Sequence, residues 1–334
     1  RLGGDEFIVL LPLQEMVVEQ ADERAEKIAR QITAAVKQPI KVGQHELSAH
    51  MSIGISHFTM TDGVETIVTR SDNAMYLAKG DAASNIAFYT DAVHQQLTHQ
   101  MQVLEGIQEA LVEDQFFMHY QPQFNHRQEL IGVEALVRWQ HSQLGLLLPD
   151  QFIGLAEQYH RINEIGSWVI DRVLSQVAQW HQAGYVLPKV AINISPIQLL
   201  DENFTRVVDQ LAERYGINPE GIVFEITEST DIEHFNLIST VLEALKARGY
   251  RFSLDDFGTG YASMTHFKRL PFSQVKIDQS FVADIESNAD SLAIAEVVLA
   301  MARSLKLEVI AEGVETQSQL EILNKLGCTG YQGY

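Results

Sequence analysis

Apolar positions in this chain follow two rhythms: short continuous runs, and longer stretches in which an apolar residue recurs every three or four positions. From Phe116 onward the two alternate. The short runs at 116–120, 130–139, 189–194, 221–227, 251–255, 274–277, 307–311 and 329–332 predict strands. The stretches between them, at 163–183, 204–215, 235–248, 292–305 and 318–326, predict helices. Eight strands separated by helices predict a (β/α)8 TIM-like barrel. Its first two strands lie too close for a crossover helix and predict an antiparallel pair, an irregularity on the usual barrel.

Ahead of the barrel the pattern is different. Residues 2–13 (LGGDEFIVLLPL) predict a Gly-Gly turn beside a strand pair, followed by a buried run. A helix is predicted over 15–36, an alternating strand over 46–58 and a second helix over 67–79. Between 90 and 113, Val93, Leu97, Met101, Leu104, Ile107 and Leu111 fall at helical spacing with no Pro or Ser run, which predicts a rigid connecting helix. The chain therefore divides into 1–89, a 90–113 connector, and 114–334.

Polar residues interrupt the apolar strands at their ends. Glu134, Asn193, Glu225, Asp255 with Asp256, Lys276, Glu312 and Gln332 stand in or just after successive strands, the positions that gather at one rim of such a barrel. The adjacent Asp255 and Asp256 alone repel by about 4 kcal/mol at ~4 Å in an effective dielectric near 20, so they need solvent, a proton or a cation. Several acids meeting at one mouth call for divalent cations. The donors are oxygens and one lysine; of the 12 histidines only His119 comes near a strand end, and no HxH or HExxH pattern occurs. That set disfavours zinc and favours Mg2+ or Mn2+.

Composition narrows the function classes. With 334 residues, 46% hydrophobic and 20% charged, the chain has material for more than one ordinary globular domain. A net charge of -20 excludes binding of a long nucleic acid, while a small anionic ligand is accessible through cations. Cys328 is the single cysteine, so no internal disulfide forms, and a reducing, cytoplasmic setting is expected. No apolar run reaches the ~18 residues of a membrane span, so no membrane contact is expected within this piece. Arg1 opens the sequence without an initiator Met, so a longer parent, membrane-tethered upstream, is an accessible arrangement. Walker A and GxSxG patterns are absent.

Two resemblances follow. RLGGDEF (1–7), MSIGIS (51–56) and SDNAMYLAKGDAASN (71–85) resemble the second half of a GGDEF domain, the α+β diguanylate cyclase family. That resemblance implies GTP contact at Gly3 and Gly4 and a metal role for Asp5 or Glu6, in a longer protein supplying the missing upstream aspartate. The usual Gly-Arg-Asn after the last lysine is replaced here, so this piece alone is not expected to make the dinucleotide. YQPQF (120–124), EALVRWQH (134–141), PDQFIGLAE (149–157), NISPIQ (193–198), FEITES (224–229), DDFGTGYAS (255–263), KIDQSFV (276–282), AEGVET (311–316) and GYQGY (330–334) resemble an EAL domain, the cyclic di-GMP phosphodiesterase family. The closing segment of that family, a proline and a final helix, is missing after Tyr334, so a truncated barrel is expected.

The EAL resemblance implies two Mg2+ or Mn2+ ions, with Glu134, Asn193, Glu225 and Asp255 as ligands of one and Asp255 and Asp256 of the other. It implies Glu312 as general base and Lys276 as the group that orients water and balances charge. Glu228 would hold the 255–261 loop, and Gln332 would support the nucleophile. Gln121, Arg138 and Glu315 would contact cyclic di-GMP. Pairing of barrels into a homodimer is a further implication. The expected reaction is hydrolysis of cyclic di-GMP to linear pGpG; the alternatives are a silent cyclic di-GMP receptor and a bifunctional parent with cyclase activity.

Overall fold

Alternating strands and helices after residue 116 close into a barrel, and the polar strand ends are drawn to its mouth. The structure is a computed structural model describing residues 1–12, 17–42, 45–59, 61–80, 85–228, 234–258 and 269–333. It separates into two units, Arg1–Gln102 and Val103–Tyr334.

In the first unit, helix Val18–Val36 buries Ala21, Ala25 and Ala29, one stripe at a spacing of four. Strand β1 (Ile40–Val42) pairs antiparallel with β2 (His45–Leu47), and β3 (Ile53–Ile55) pairs parallel with β4 (Ile86–Phe88). Helix Val64–Gly80 buries Ala74 and Ala78. Two expectations fail here. The single strand over 46–58 is two strands, because residues 48–52 take no partner in either ladder. The run after the Gly-Gly turn is not buried: Phe7, Val9 and Leu10 are 67%, 59% and 69% exposed. Among the described residues no strand pairs with it, so its apolar side chains have no sheet to pack on. Residues 13–16, which include the last residue of the predicted 2–13 run and the first two of the predicted 15–36 helix, lie outside the described residues.

Helix Asp91–Val112 carries the chain into the second unit, where Val103, Ile107 and Ala110 enter the core. The barrel strands are β5 (Phe116–Phe124), β6 (Leu130–His141), β8 (Val190–Asn193), β9 (Ile222–Thr227), β10 (Arg251–Phe257), β11 (Gln274–Ile277), β12 (Glu308–Ala311) and β13 (Gly330–Tyr331), with β7 (Gly145–Leu147) added outside β6. The sheet order is β5-β13-β12-β11-β10-β9-β8-β6-β7, and a β5–β6 pairing closes the ring. β5 runs antiparallel to both its neighbours, as the short connection to β6 demands, and the rest of the ring is parallel. The hairpin β7 went unforeseen because three residues are too few to show alternation.

The main core lies between barrel and helices. Helix Ile162–Gln182 buries Ile165, Val169, Val173 and Val177 on one stripe, each contributing about 1.5–3 kcal/mol by leaving water. Phe116, Trp139 and Phe152 cluster with ring centroids 5.0–5.7 Å apart. These contacts make the ring rigid, which lets its mouth hold charged groups in fixed relation.

Candidate active site

Side chains alternate along a strand, so every second residue of β5, β6 and β8–β13 faces the barrel interior. On β6 that face carries Glu134, set opposite Gln121 of β5. On β9 it carries Glu225, level with Asn193 of β8 and Ser253 of β10. Lys276 rises from β11, and Glu312 follows the end of β12. The ammonium of Lys276 stands 2.9 Å from Glu225 Oε2, 2.7 Å from Glu312 Oε1, and 3.2 Å from both Glu134 Oε2 and Asp255 Oδ2. One cation, 1% exposed, faces four carboxylates.

Asp255 and Asp256 are adjacent, and a regular strand would send them to opposite faces. The β10–β11 register shifts between Leu254 and Phe257, and Asp256 takes φ +55°, a left-handed conformation that Asp tolerates. This bulge brings the carboxylates of Asp255, Asp256 and Glu312 within 4.8 Å of one another. The backbone N–H of Gly258 donates to Glu228 Oε2 at 2.7 Å, and the N–H of Glu228 donates to the Asp255 carbonyl at 3.2 Å, which ties down the strand end. The remainder of the loop, including Tyr261, lies outside the described residues.

The same residues form a second trio, Glu134, Glu225 and Asp255, again within 4.8 Å. Glu225 Oε1 is buried with no hydrogen-bond partner, an orphaned acceptor that a hard cation would satisfy. Asn193 Nδ2 donates to Glu134 Oε1 at 2.6 Å, with its carbonyl oxygen left over as a donor to a cation. Two oxygen-lined trios sharing Asp255 fit a pair of Mg2+ or Mn2+ ions.

Burial and crowding displace the proton affinities. Burial pushes the Glu225 carboxyl well above its ordinary value, against the pull of Lys276. Glu312 is pushed up to about 7, by burial first, with Lys276 opposing and Asp255 and Glu134 adding to the rise. Asp256 rises to about 6 through burial and the charges of Asp255 and Asp278. For Glu134 burial acts upward, but Lys276 and donors from Gln332 and Asn193 outweigh it and hold the group low. Burial alone would lower Lys276; the surrounding carboxylates drive it well above its ordinary value. Titratable groups pushed apart in this way are typical of reactive sites.

Gln332 also belongs to the cluster: its Nε2 donates to Glu134 Oε2 at 2.7 Å and to Gln121 Oε1 at 2.9 Å. Arg138 lies on the Glu134 face of β6, about 13 Å further along at ~3.3 Å per residue, half-buried and donating to the Val137 carbonyl. Glu315 is exposed and is not gathered with the carboxylates. In the other unit, Gly3, Gly4, Asp5 and Glu6 form an exposed turn closed by the Glu6 N–H donating to the Gly3 carbonyl at 2.9 Å. Gln123, 2% exposed and bonded to Gln332, is a buried polar member of this cluster that the sequence reading does not single out. Its signal was its spacing, two residues after Gln121 on the same face of β5.

Known proteins match this arrangement. The family described as EAL domain matches residues 104–334, and that described as Diguanylate cyclase, GGDEF domain, matches residues 1–85. The chain is 37% identical over its whole length to the bifunctional diguanylate cyclase/cyclic di-GMP phosphodiesterase MucR of Pseudomonas aeruginosa, covering 48% of that protein. It is 35% identical to the cyclic di-GMP phosphodiesterase PdeR of Escherichia coli, covering all of this chain and 50% of that protein. The chain thus spans about half the length of the curated relatives it matches. Among solved structures, the PaMucR phosphodiesterase in complex with c-di-GMP is 39% identical with TM-score 0.66, over 70% of this chain and 94% of that one. The chain belongs to the EAL domain family, its barrel preceded by a segment of the GGDEF family.

Proposed function

We propose that the barrel hydrolyses cyclic di-GMP to linear pGpG, with Glu134, Asn193, Glu225, Asp255 and Asp256 holding two Mg2+ or Mn2+ ions. The observation that carries the reading is the convergence of four carboxylates on Lys276 with Glu225 Oε1 left unpartnered. Relatives named as cyclic di-GMP phosphodiesterases and a related barrel solved with c-di-GMP support it. Bound ions would neutralise the phosphodiester, make water a stronger acid and stabilise the leaving oxygen.

The chain's own groups would divide the remaining work. Glu312, with its affinity raised to about 7, is the general base: its carboxylate takes a proton from water as the water oxygen bonds to phosphorus. The phosphorus–ribose oxygen bond opens as the new bond forms, the departing oxygen takes a proton from solvent to become a hydroxyl, and Glu312 returns its own proton to solvent. Lys276 holds the Glu312 carboxylate at 2.7 Å and balances the charge of its neighbours. Glu228 anchors the bulged strand end through Gly258, and Gln332 steadies Glu134. Gln121, Arg138 and Glu315 are the proposed nucleotide contacts; Arg138 offers the planar fork suited to phosphate.

In this reading residues 114–334 are the catalytic domain, 90–113 the connecting helix and 1–89 a partial GGDEF domain. The reading extends to GTP at the Gly3 to Glu6 turn in a longer protein, to barrel homodimers and to a cytoplasmic setting. Among the described residues no helix is long and apolar enough to cross a membrane. A silent receptor would be expected to lack Glu134, Asp255, Lys276 or Glu312, and all four are present. The test is incubation with cyclic di-GMP and Mg2+ or Mn2+, with product separated by chromatography. The protein should form pGpG, chelator should stop it, and Glu312→Ala should slow it by about 10²–10⁴-fold. Nucleotide binding with no linear product would overturn the proposal.

A further inference from the structure

We infer that Gln123 is a positioning residue for the site: it donates to Gln332 and so keeps that amide turned toward Glu134. Its consequence for catalysis rests on the phosphodiesterase reading above; the geometry does not. Gln123 Nε2 lies 2.9 Å from Gln332 Oε1, and Gln332 Nε2 in turn reaches Glu134 Oε2 at 2.7 Å and Gln121 Oε1 at 2.9 Å.

The direction of this chain is set by its anionic end. An ionised carboxylate only accepts, so Gln332 must present its NH2 group to Glu134. Its carbonyl oxygen then faces away from the carboxylate, deep in the barrel, where Gln123 supplies the N–H it requires. Without that donor, the buried carbonyl is satisfied only if the amide rotates, and rotation takes the NH2 group off Glu134. Gln123 thereby acts on a proposed metal ligand through two hydrogen bonds, with Gln332 between them.

The neighbouring strand is shaped around this side chain. Gln123 stands opposite Gly132 in the β5–β6 register. A Cβ at 132 would lie 3.1 Å from Gln123 Oε1 and 3.1 Å from the Lys189 carbonyl oxygen, so a side chain there would require these neighbours to give by a few tenths of an ångström. The bond also crosses the β5–β13 seam, where the ladder consists of a single pair, Tyr331 with Phe124. A bond at the seam alone would be structural, so the test must separate closure of the ring from orientation of the amide.

Two variants do this: Gln123→Met keeps the length and removes the N–H, and Gln123→Lys keeps an N–H donor. The readouts are the side-chain amide resonance of Gln332 in metal-free protein, assigned by its loss in Gln332→Met, and Mn2+ affinity measured without nucleotide. Gln123→Met should shift the resonance and weaken Mn2+ binding roughly tenfold, and Gln123→Lys should recover most of that loss. An unmoved Gln332 resonance with unchanged Mn2+ affinity in Gln123→Met overturns the inference, as does a lysine variant no better than methionine. Failure of the unaltered protein to hydrolyse cyclic di-GMP would sink the enzyme reading alone, because the resonance and Mn2+ results decide this one separately.

Discussion

Lys276→Met is the most direct probe of how the barrel tolerates its own charge. The ammonium lies 2.7–3.2 Å from four carboxylate oxygens, and each such contact is worth about 5 kcal/mol in an effective dielectric near 20. Removing it also exposes the acids to one another: oxygens within 4.8 Å repel by about 3–4 kcal/mol per pair under the same assumption. Proton uptake by the carboxylates limits the damage, so the expected loss for metal-free protein is that of breaking a buried ion pair, about 3–5 kcal/mol. All three tryptophans, Trp139, Trp168 and Trp180, lie in the barrel unit, so their fluorescence during urea unfolding reports on that unit. Chelator-treated Lys276→Met should unfold at much lower urea than the unaltered protein. Mn2+ at 100 times its dissociation constant should return about 2.7 kcal/mol to each protein that binds it. A chelated variant within about 1 kcal/mol of the unaltered protein would refute the claim that Lys276 neutralises the cluster.

Other perturbations follow from the same geometry. Glu225 and Glu312 hold protons more tightly folded than unfolded, Glu312 to about 7 against an ordinary 4.5, so the folded state binds extra protons in that window. Stability of the chelated protein should therefore fall as pH rises from about 4.5 to about 7, and saturating Mn2+ should flatten the slope; an unfolding midpoint that rises over this range without metal would contradict the assignment. Gly258→Ala places a side chain at φ +102° and 3.0 Å from Phe281 Cε2, a strain of about 1–3 kcal/mol that should loosen the Glu228 contact and lower Mn2+ affinity. Isothermal titration checks this, and an affinity equal to that of the unaltered protein would show that the bulge does not depend on that glycine.

How far the site was legible in the residues depends on the kind of interaction. Glu134, Glu225, Lys276 and Glu312 stand in or just after strands whose apolar runs were evident, so a barrel topology was enough to bring them near one mouth. The run after Asp5 and Glu6 misled: Phe7 to Leu10 have the composition of a buried strand, but burial requires a partner, and composition carries no information about partners.

The order of apolar and polar positions was sufficient to determine the alternation of strands and helices, the antiparallel start of the ring and the gathering of acids at one rim. Tertiary structure alone decided that Asp255 and Asp256 share a side, through a bulge at φ +55°, and that four acids lean on one lysine. It alone decided that Gln123 reaches Gln332 from 209 residues away. The reason is physical: periodicity reports which face a residue takes along its own strand, whereas backbone bulges and contacts across the ring depend on strands that are brought together only by closure.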